Sequence, residues 1–374
     1  MRTSLSGTAT HGGNPWALLE SPAGDPSAIL DFSADINPLG PPPALRPALQ
    51  EALARVAWYP EPTYREFRES AARAEGVEPD CILPGNGTAD LIHLLSRWRA
   101  DRSVMVMTPT FTEYERAAAA DGSTVVPWRA AEEDGFVHSL PERLGWEMEG
   151  GLLFLCNPNN PTGVLWPEGR LMELVGQAER VGAVAVVDEA YMDFVKDARR
   201  YSLAPRAAGS RGLVVLRSLT KVFAIPGLRV GYLVGPAELV RELQAIQAPW
   251  AMNALAAFAG ARLLVGQTAW LDSTRRQVSA WRASLEGSLS ALPGIRPYPA
   301  EANFLLCRLS GPGEAGSQLA GRLAERGILV RLCDDFTGLA PGRFIRLAVR
   351  RPAENQRLLE ALREAQQGAF EKYG

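Results

Sequence analysis

The sequence predicts an α/β protein: a largely parallel sheet covered by helices, a second, smaller domain after it and an arm before it. Three observations carry this. Short apolar runs alternate with amphipathic segments through the middle of the chain, the mark of parallel strands joined by helical crossovers. Near residue 253 the pattern turns helical and charged, and three further strand-like runs then close the chain around a helix. About the first 45 residues are rich in glycine and proline and lack a sustained period. A chain of 374 residues is long enough to bury a large core in two unequal domains.

In order, the arm is expected over residues 1–45, a large domain over 46–262 and a small C-terminal domain over 263–374. Buried strands are predicted at "SVMVM" (103), "STVVPW" (123), "GLLFLC" (151), "AVAVVDE" (183), "LVVLRS" (213) and "VGYLVG" (230). Segment 168–181, "EGRLMELVGQAERV", has the apolar spacing of a helix lying on the sheet. In the last third, "NFLLCRL" (303), "GILVRL" (327) and "FIRLAV" (344) read as strands. Neither internal repeats nor low-complexity segments interrupt this plan.

Composition narrows the partners. With 39 basic and 42 acidic residues interspersed, the net charge of −3 leaves no footprint for nucleic acid or an anionic membrane, so a small molecule is the expected partner. The four cysteines, Cys81, Cys156, Cys307 and Cys333, are too scattered for a zinc site and suit reduced, buried thiols; no metal is expected. No apolar run reaches the roughly 18 residues of a membrane span, and Arg2 is not followed by an apolar signal segment. A cytoplasmic location is expected.

Four segments carry chemistry. In "RSLTKVFAIPGLRVGY" (217–232), Lys221 follows a buried strand and enters an apolar stretch. Desolvation disfavours an ammonium and leaves an amine able to attack carbonyls, although a lysine snorkelling from a strand end fits the same pattern. "NPNNPTG" (157–163) lies just beyond a strand, where open α/β sheets bind ligands; Asn160 can donate to a phenolate-like oxygen, and two prolines also justify a plain turn. "VVDEAYMDF" (186–194) ends the next strand on Asp188, with Tyr191 three residues on. A carboxylate there can keep a pyridine nitrogen protonated or simply cap a helix. "GNGTADLIHLL" (85–95) is a glycine-rich turn opening a helix, whose free N–H groups suit a phosphate.

Taken together and in this order, these motifs resemble the fold type I enzymes dependent on pyridoxal 5'-phosphate, within the class I/II aminotransferase superfamily. The resemblance spans almost the whole chain. It implies a large domain with a mostly parallel seven-stranded sheet and a smaller α+β C-terminal domain. It also implies that Lys221 binds the cofactor as a Schiff base, that Asp188 pairs with the pyridine nitrogen and that Tyr191 and Asn160 contact the ring oxygen. Phe111, in "PTFTEY", would stack on the ring. Gly87, Thr88, Ala89, Ser218, Thr220 and Arg229 would cradle the phosphate. Tyr59, in "WYPEPTY", matches a tyrosine that reaches the neighbouring subunit's cofactor, which implies a homodimer.

Cofactor motifs leave the reaction open, because the grip on the substrate's other groups decides which bond to Cα breaks. Arg346, in "FIRLAVRRPAEN", and Arg331, in "VRLCDDFTGL", fit a doubly anionic substrate such as an amino acid phosphate. "THGGN" (10–14) places His11, one of three histidines, beside two glycines: a turn by itself, or a ligand. "THGGN", "DFSADINPLG" (31–40), "APWAMNALA", "LCDDFTGL" and "IRLAVR" together resemble the threonine-phosphate decarboxylases, which make aminopropanol phosphate for cobalamin. That resemblance implies substrate contacts from His11, Gly12, Asn37, Asn160, Arg331 and Arg346, the two arginines not being told apart. Asp35 departs from it by replacing the usual asparagine, and is expected to point away from the pocket. A histidinol-phosphate aminotransferase is the alternative activity. A regulator carrying a DNA-binding module is disfavoured by the short segment before residue 85.

Overall fold

The computed structural model describes residues 11–19, 24–310 and 315–370. Its centre is a seven-stranded sheet in the order Ile82–Gly85, Gly231–Val234, Leu213–Ser218, Val184–Asp188, Leu152–Cys156, Ser103–Thr108, Thr124–Arg129. The last five of these pair in parallel, and Gly231–Val234 is antiparallel to both its neighbours. Leu152–Cys156 and Val184–Asp188 are buried along their whole length, which accounts for their continuous apolar sequence. Six of the seven strands coincide with the predicted runs, although Thr124–Arg129, expected to be buried, lies at the sheet edge and consists of exposed and half-buried residues. The seventh, Ile82–Gly85, is only four residues long and contains Pro84 and Gly85, both of which dilute a strand signal.

Helices cover the sheet on both faces, among them Glu168–Arg180, which buries Leu171, Leu174, Val175 and Ala178 as its apolar spacing predicts. Beyond Thr268–Ser290, a four-stranded antiparallel sheet runs in the order Arg331–Leu332, Phe344–Ala348, Phe304–Leu309, Ile295–Pro297. The run "GILVRL" is not one strand. It breaks at Val330: Ile328–Leu329 pairs in parallel with Leu30–Asp31 from the N-terminal segment, and Arg331–Leu332 joins the four-stranded sheet. The break turns Arg331 toward Arg346, its register partner on the neighbouring strand. No single helix among the described residues is long and apolar enough to cross a membrane.

The parallel strands all deliver their C-terminal ends to one edge, where Asp188 ends its strand and Thr110 and Asn157 follow theirs; Gly87 follows Ile82–Gly85, which runs in the same direction. The loop after Leu152–Cys156 docks on the turn at Ala300, with Glu301 N–H donating to Gly163 O at 2.9 Å. Gly163 has φ +73°, and a Cβ there would lie 2.3 Å from Ala300 Cβ and 2.9 Å from its Cα. Gly163→Ala is therefore expected to destabilise the fold by about 1–3 kcal/mol through overpacking and backbone strain. Thermal and urea unfolding midpoints check this, with Gly169→Ala, where nothing lies within 4 Å of the built Cβ, as the control.

Candidate active site

Each strand end contributes one part. The one-turn helix Leu219–Val222, directly after Leu213–Ser218, presents Lys221 with its side chain 28% exposed and Nζ 3.6 Å from Asp35 Oδ2. The lysine is thus not desolvated alone in an apolar stretch, as the sequence suggested; it is partly exposed and balanced by a carboxylate. Asn37 holds this turn from behind. Its N–H donates to Lys221 O at 3.1 Å, its Nδ2 to Val222 O at 2.7 Å and to Thr274 Oγ1 at 3.4 Å, and its Oδ1 accepts from Leu39 N–H at 3.0 Å. Asn37, expected to touch substrate, anchors the lysine's backbone through these bonds.

Asp188 ends its strand 3% exposed, accepting from Tyr114 O–H at 2.8 Å and from Ala190 N–H at 3.0 Å. Burial pushes its carboxyl above the usual carboxylate range against the pull of Tyr114. A cationic N–H donor beside it would restore the charged form. Phe111 sits one turn before Tyr114, edge-on to it at 5.6 Å. Tyr191 packs edge-on against Phe304 at 5.0 Å and its hydroxyl donates to Asp35. Asn160 is 4% exposed, and its Oδ1 accepts from Arg346 Nη1.

The phosphate-suited end is built on close approaches. Gly87, at φ +82°, precedes helix Thr88–Trp98, which begins without a side-chain cap, so the first-turn amides of Thr88 and Ala89 lack that partner. A Cβ on Gly87 would lie 2.7 Å from Arg229 Nη2, and one on Gly231 would lie 3.1 Å from Thr88 N. Arg229 itself is in the left-handed region at φ 55°. Nearby on the chain, Ser218 Oγ and Thr220 Oγ1 lie 2.8 Å apart. Helix amides with a guanidinium held against them make a cradle for a phosphate dianion, and an acid waiting for a cationic N–H lies on the same sheet edge. These residues fit pyridoxal phosphate.

Asp35 does not point away. It is 2% exposed and its carboxylate touches Arg346 Nη2, Tyr191 O–H and Lys221. Burial pushes its pKa up, but Arg346, Lys221 and Tyr191 together hold it at about 2. The correction has a plain cause: three donors converge on a buried point, and a carboxylate is drawn to them. Arg346, 5% exposed, also donates from Nη2 to Ser33 O at 2.9 Å, while its Nε has no partner among the described residues. Arg331, 7% exposed, is balanced by Asp335, both of whose carboxylate oxygens lie 2.7 Å from Nη2.

Residues 11–14, the described part of "THGGN", lie against the segment that holds Arg346. A Cβ on Gly12 would lie 2.0 Å from Ser33 O, and Gly13 N–H donates to Ser33 Oγ at 2.8 Å, so the glycines let the arm lie directly on the segment that holds Arg346. His11 stacks obliquely 5.6 Å from Phe111 and donates from Nε2 to Glu113 Oε1 at 2.8 Å. Glu113 also faces Arg116 at 3.0 Å and His93 at 3.4 Å. Burial pushes the Glu113 carboxyl up, but His11 and Arg116 bring it below the usual range. Sequence reasoning missed Glu113, Tyr114 and Asp335. "PTFTEY" held a signal for two of them, since residues two and three beyond Phe111 begin the helix Glu113–Ala120 facing back into the site. Tyr59 is elsewhere: it is 77% exposed and stacks on Trp250 at 4.4 Å.

The family model for class I and II aminotransferases matches residues 27–362, and the chain belongs to that family. Threonine-phosphate decarboxylase from Salmonella typhimurium is 36% identical over 363 residues, covering 96% of this chain and 97% of that protein. The crystal structure of L-threonine-O-3-phosphate decarboxylase from Porphyromonas gingivalis superposes with a TM-score of 0.80 at 28% identity, covering 90% of this chain and 99% of that one. Histidinol-phosphate aminotransferase from Clostridium acetobutylicum gives 0.81 at 27% identity, with the same coverage. The fold is thus that of the fold type I pyridoxal-phosphate enzymes.

Asp35 provides a test of this electrostatic centre. Its folded pKa lies below the ordinary 3.8, so it contributes stability that is present above about pH 4 and lost as the pH falls toward 2. The full contribution is on the order of 2 kcal/mol. The stability difference between wild type and Asp35→Asn should shrink between pH 5 and pH 3 in urea unfolding; an offset independent of pH would contradict the assignment.

Proposed function

We propose that this chain decarboxylates L-threonine O-3-phosphate, giving (R)-1-amino-2-propanol phosphate and carbon dioxide, with pyridoxal phosphate bound through Lys221 and the product destined for the aminopropanol linker of cobalamin. The observation that carries the reading is the pair of buried arginines in register on adjacent strands, Arg331 and Arg346, with His11 brought over the same cleft by the arm. Two anion sites suit a substrate with two anionic ends. The similarity to threonine-phosphate decarboxylase over nearly the whole chain supports the same choice.

The arginines divide the work by distance from the lysine. Arg346 shares Asp35 with Lys221, so a carboxylate carried on the carbon next to the lysine-bound amine falls to Arg346. Arg331 and His11 then take the phosphate. Bound at this edge, pyridoxal phosphate supplies an electron sink for the pair released when a bond to Cα breaks. Asp188, supported by Tyr114, would hold the ring nitrogen's proton, and Phe111 would orient the ring. Tyr191, whose hydroxyl donates to Asp35, and Asn160, whose Oδ1 accepts from Arg346, would contact the ring oxygen. Lys221 is the residue that would hold pyridoxal phosphate, and its Nζ, beside Asp35 Oδ2, would carry the proton that takes the place of the lost carboxylate on Cα. One proton enters and one carbon dioxide departs, so no oxo acid is consumed.

Threonine phosphate alone should therefore give carbon dioxide and aminopropanol phosphate over many turnovers, while Lys221→Ala loses both turnover and visible absorbance. Free L-threonine should react far more slowly, by as much as roughly 10⁴-fold where polar groups built for the phosphate are left unpaired. Amino transfer from histidinol phosphate to 2-oxoglutarate without carbon dioxide release from threonine phosphate would favour an aminotransferase.

Tyr59 serves a second copy of the chain in this reading. With Leu53, Val56, Trp58 and Trp250 it forms an exposed apolar surface that suits a homodimer. Mixing inactive Tyr59→Ala and Lys221→Ala variants should restore part of the activity, since one hybrid site holds both native residues. Demonstrated subunit exchange with no recovery would place both residues in one subunit's site.

A further inference from the structure

We infer that Asp35 is a built-in competitor for the substrate's carboxylate at Arg346, so that a ligand carboxylate binds there more weakly than the guanidinium alone would allow. The inference rests on the reading of Arg346 as the carboxylate fork. A guanidinium grips a carboxylate through two neighbouring N–H groups. At Arg346 the donors are divided: Nη2 is held by the Asp35 carboxylate and Ser33 O, Nη1 by Asn160, and Nε is buried with no partner among the described residues. A single buried donor without an acceptor marks an unfinished fork, ready for an oxygen from a ligand. The other half is occupied by an acid of the chain itself.

That acid is tethered and prepaid in orientation, with Tyr191 and Lys221 holding its second oxygen. A ligand carboxylate has to displace it or lie against a like charge, so a lone carboxylate gains little. A second anionic group anchored at Arg331 and His11 raises the local concentration of the ligand carboxylate enough to win the exchange. Arg331 carries a parallel arrangement in Asp335, but that acid is 30% exposed and can rotate into solvent, whereas Asp35 is enclosed with its side chain 3% exposed. The competition therefore falls on Asp35 rather than on Asp335.

The experiment uses the holoenzyme and three amine-free probes: 3-phosphooxypropanoate, propyl phosphate and propionate, with binding read by calorimetry. Asp35→Asn keeps the shape and removes the charge. It should tighten 3-phosphooxypropanoate and propionate at least tenfold and change propyl phosphate by less than twofold. Carboxylate probes binding no tighter than to wild type, or all three probes tightening equally, would overturn the inference. Should Asp35→Asn lose its native circular dichroism, Asp35→Ser provides the same comparison. Arg346→Gln separates the two claims. If it weakens 3-phosphooxypropanoate while Asp35→Asn fails to tighten it, Asp35 is no competitor and the fork stands. If Arg346→Gln leaves affinity unchanged in either background, the fork reading itself falls.

Discussion

A buried guanidinium has to find its counter-charge, and in this molecule Arg346 finds it across the whole length of the chain. It lies on the strand Phe344–Ala348, yet its partners are Ser33 and Asp35 near the start of the chain and Asn160 from the loop after Leu152–Cys156. Removing an acid from such a centre leaves an uncompensated interior charge, which costs far more than a surface pair contributes. The position of the N-terminal segment over the cleft follows from that demand. Because Asp35 also meets Lys221 and Tyr191, the same contact joins the anion-binding strand to the lysine.

A second buried network stands behind the first. Arg217, one residue before the end of its strand, faces Glu75 at 2.9 Å, Asp193 at 3.2 Å and Glu189 at 3.4 Å. Burial drives Glu189 up to about 7 despite Arg217. Arg275, from the long helix Thr268–Ser290, reaches Asp193 O at 3.0 Å. These bonds fasten the strand ends that carry Asp188 and Ser218 to one another and to that helix. The chemistry-bearing edge is thus rigid from below, while the arm closes it from above through His11 and Gly12.

Much of the fold was legible in local pattern. Continuous apolar runs report strands buried on both faces, and amphipathic spacing reports the helices between them, because both properties are set by neighbours within a few residues. The motifs around Gly87, Asn160, Asp188 and Lys221 were legible for the same reason: each is a strand end followed by a turn with its own glycine, proline or capping chemistry. Val330 was not, since a break between two sheets depends on what each half pairs with, and those partners are Leu30–Asp31 and Phe344–Ala348.

By itself, then, the sequence determined the alternating architecture, the strand-end motifs and the class of cofactor they suit. Tertiary structure alone decided which way Asp35 faces, that Asn37 serves the Lys221 turn, that Glu113 receives His11, and that Asp335 balances Arg331. The physical reason is distance along the chain. His11 and Glu113 are 102 positions apart, and Asp35 and Arg346 are 311 apart. Whether such charges meet depends on how sheets and arm pack, and a side chain's identity carries no record of the partner that packing brings to it.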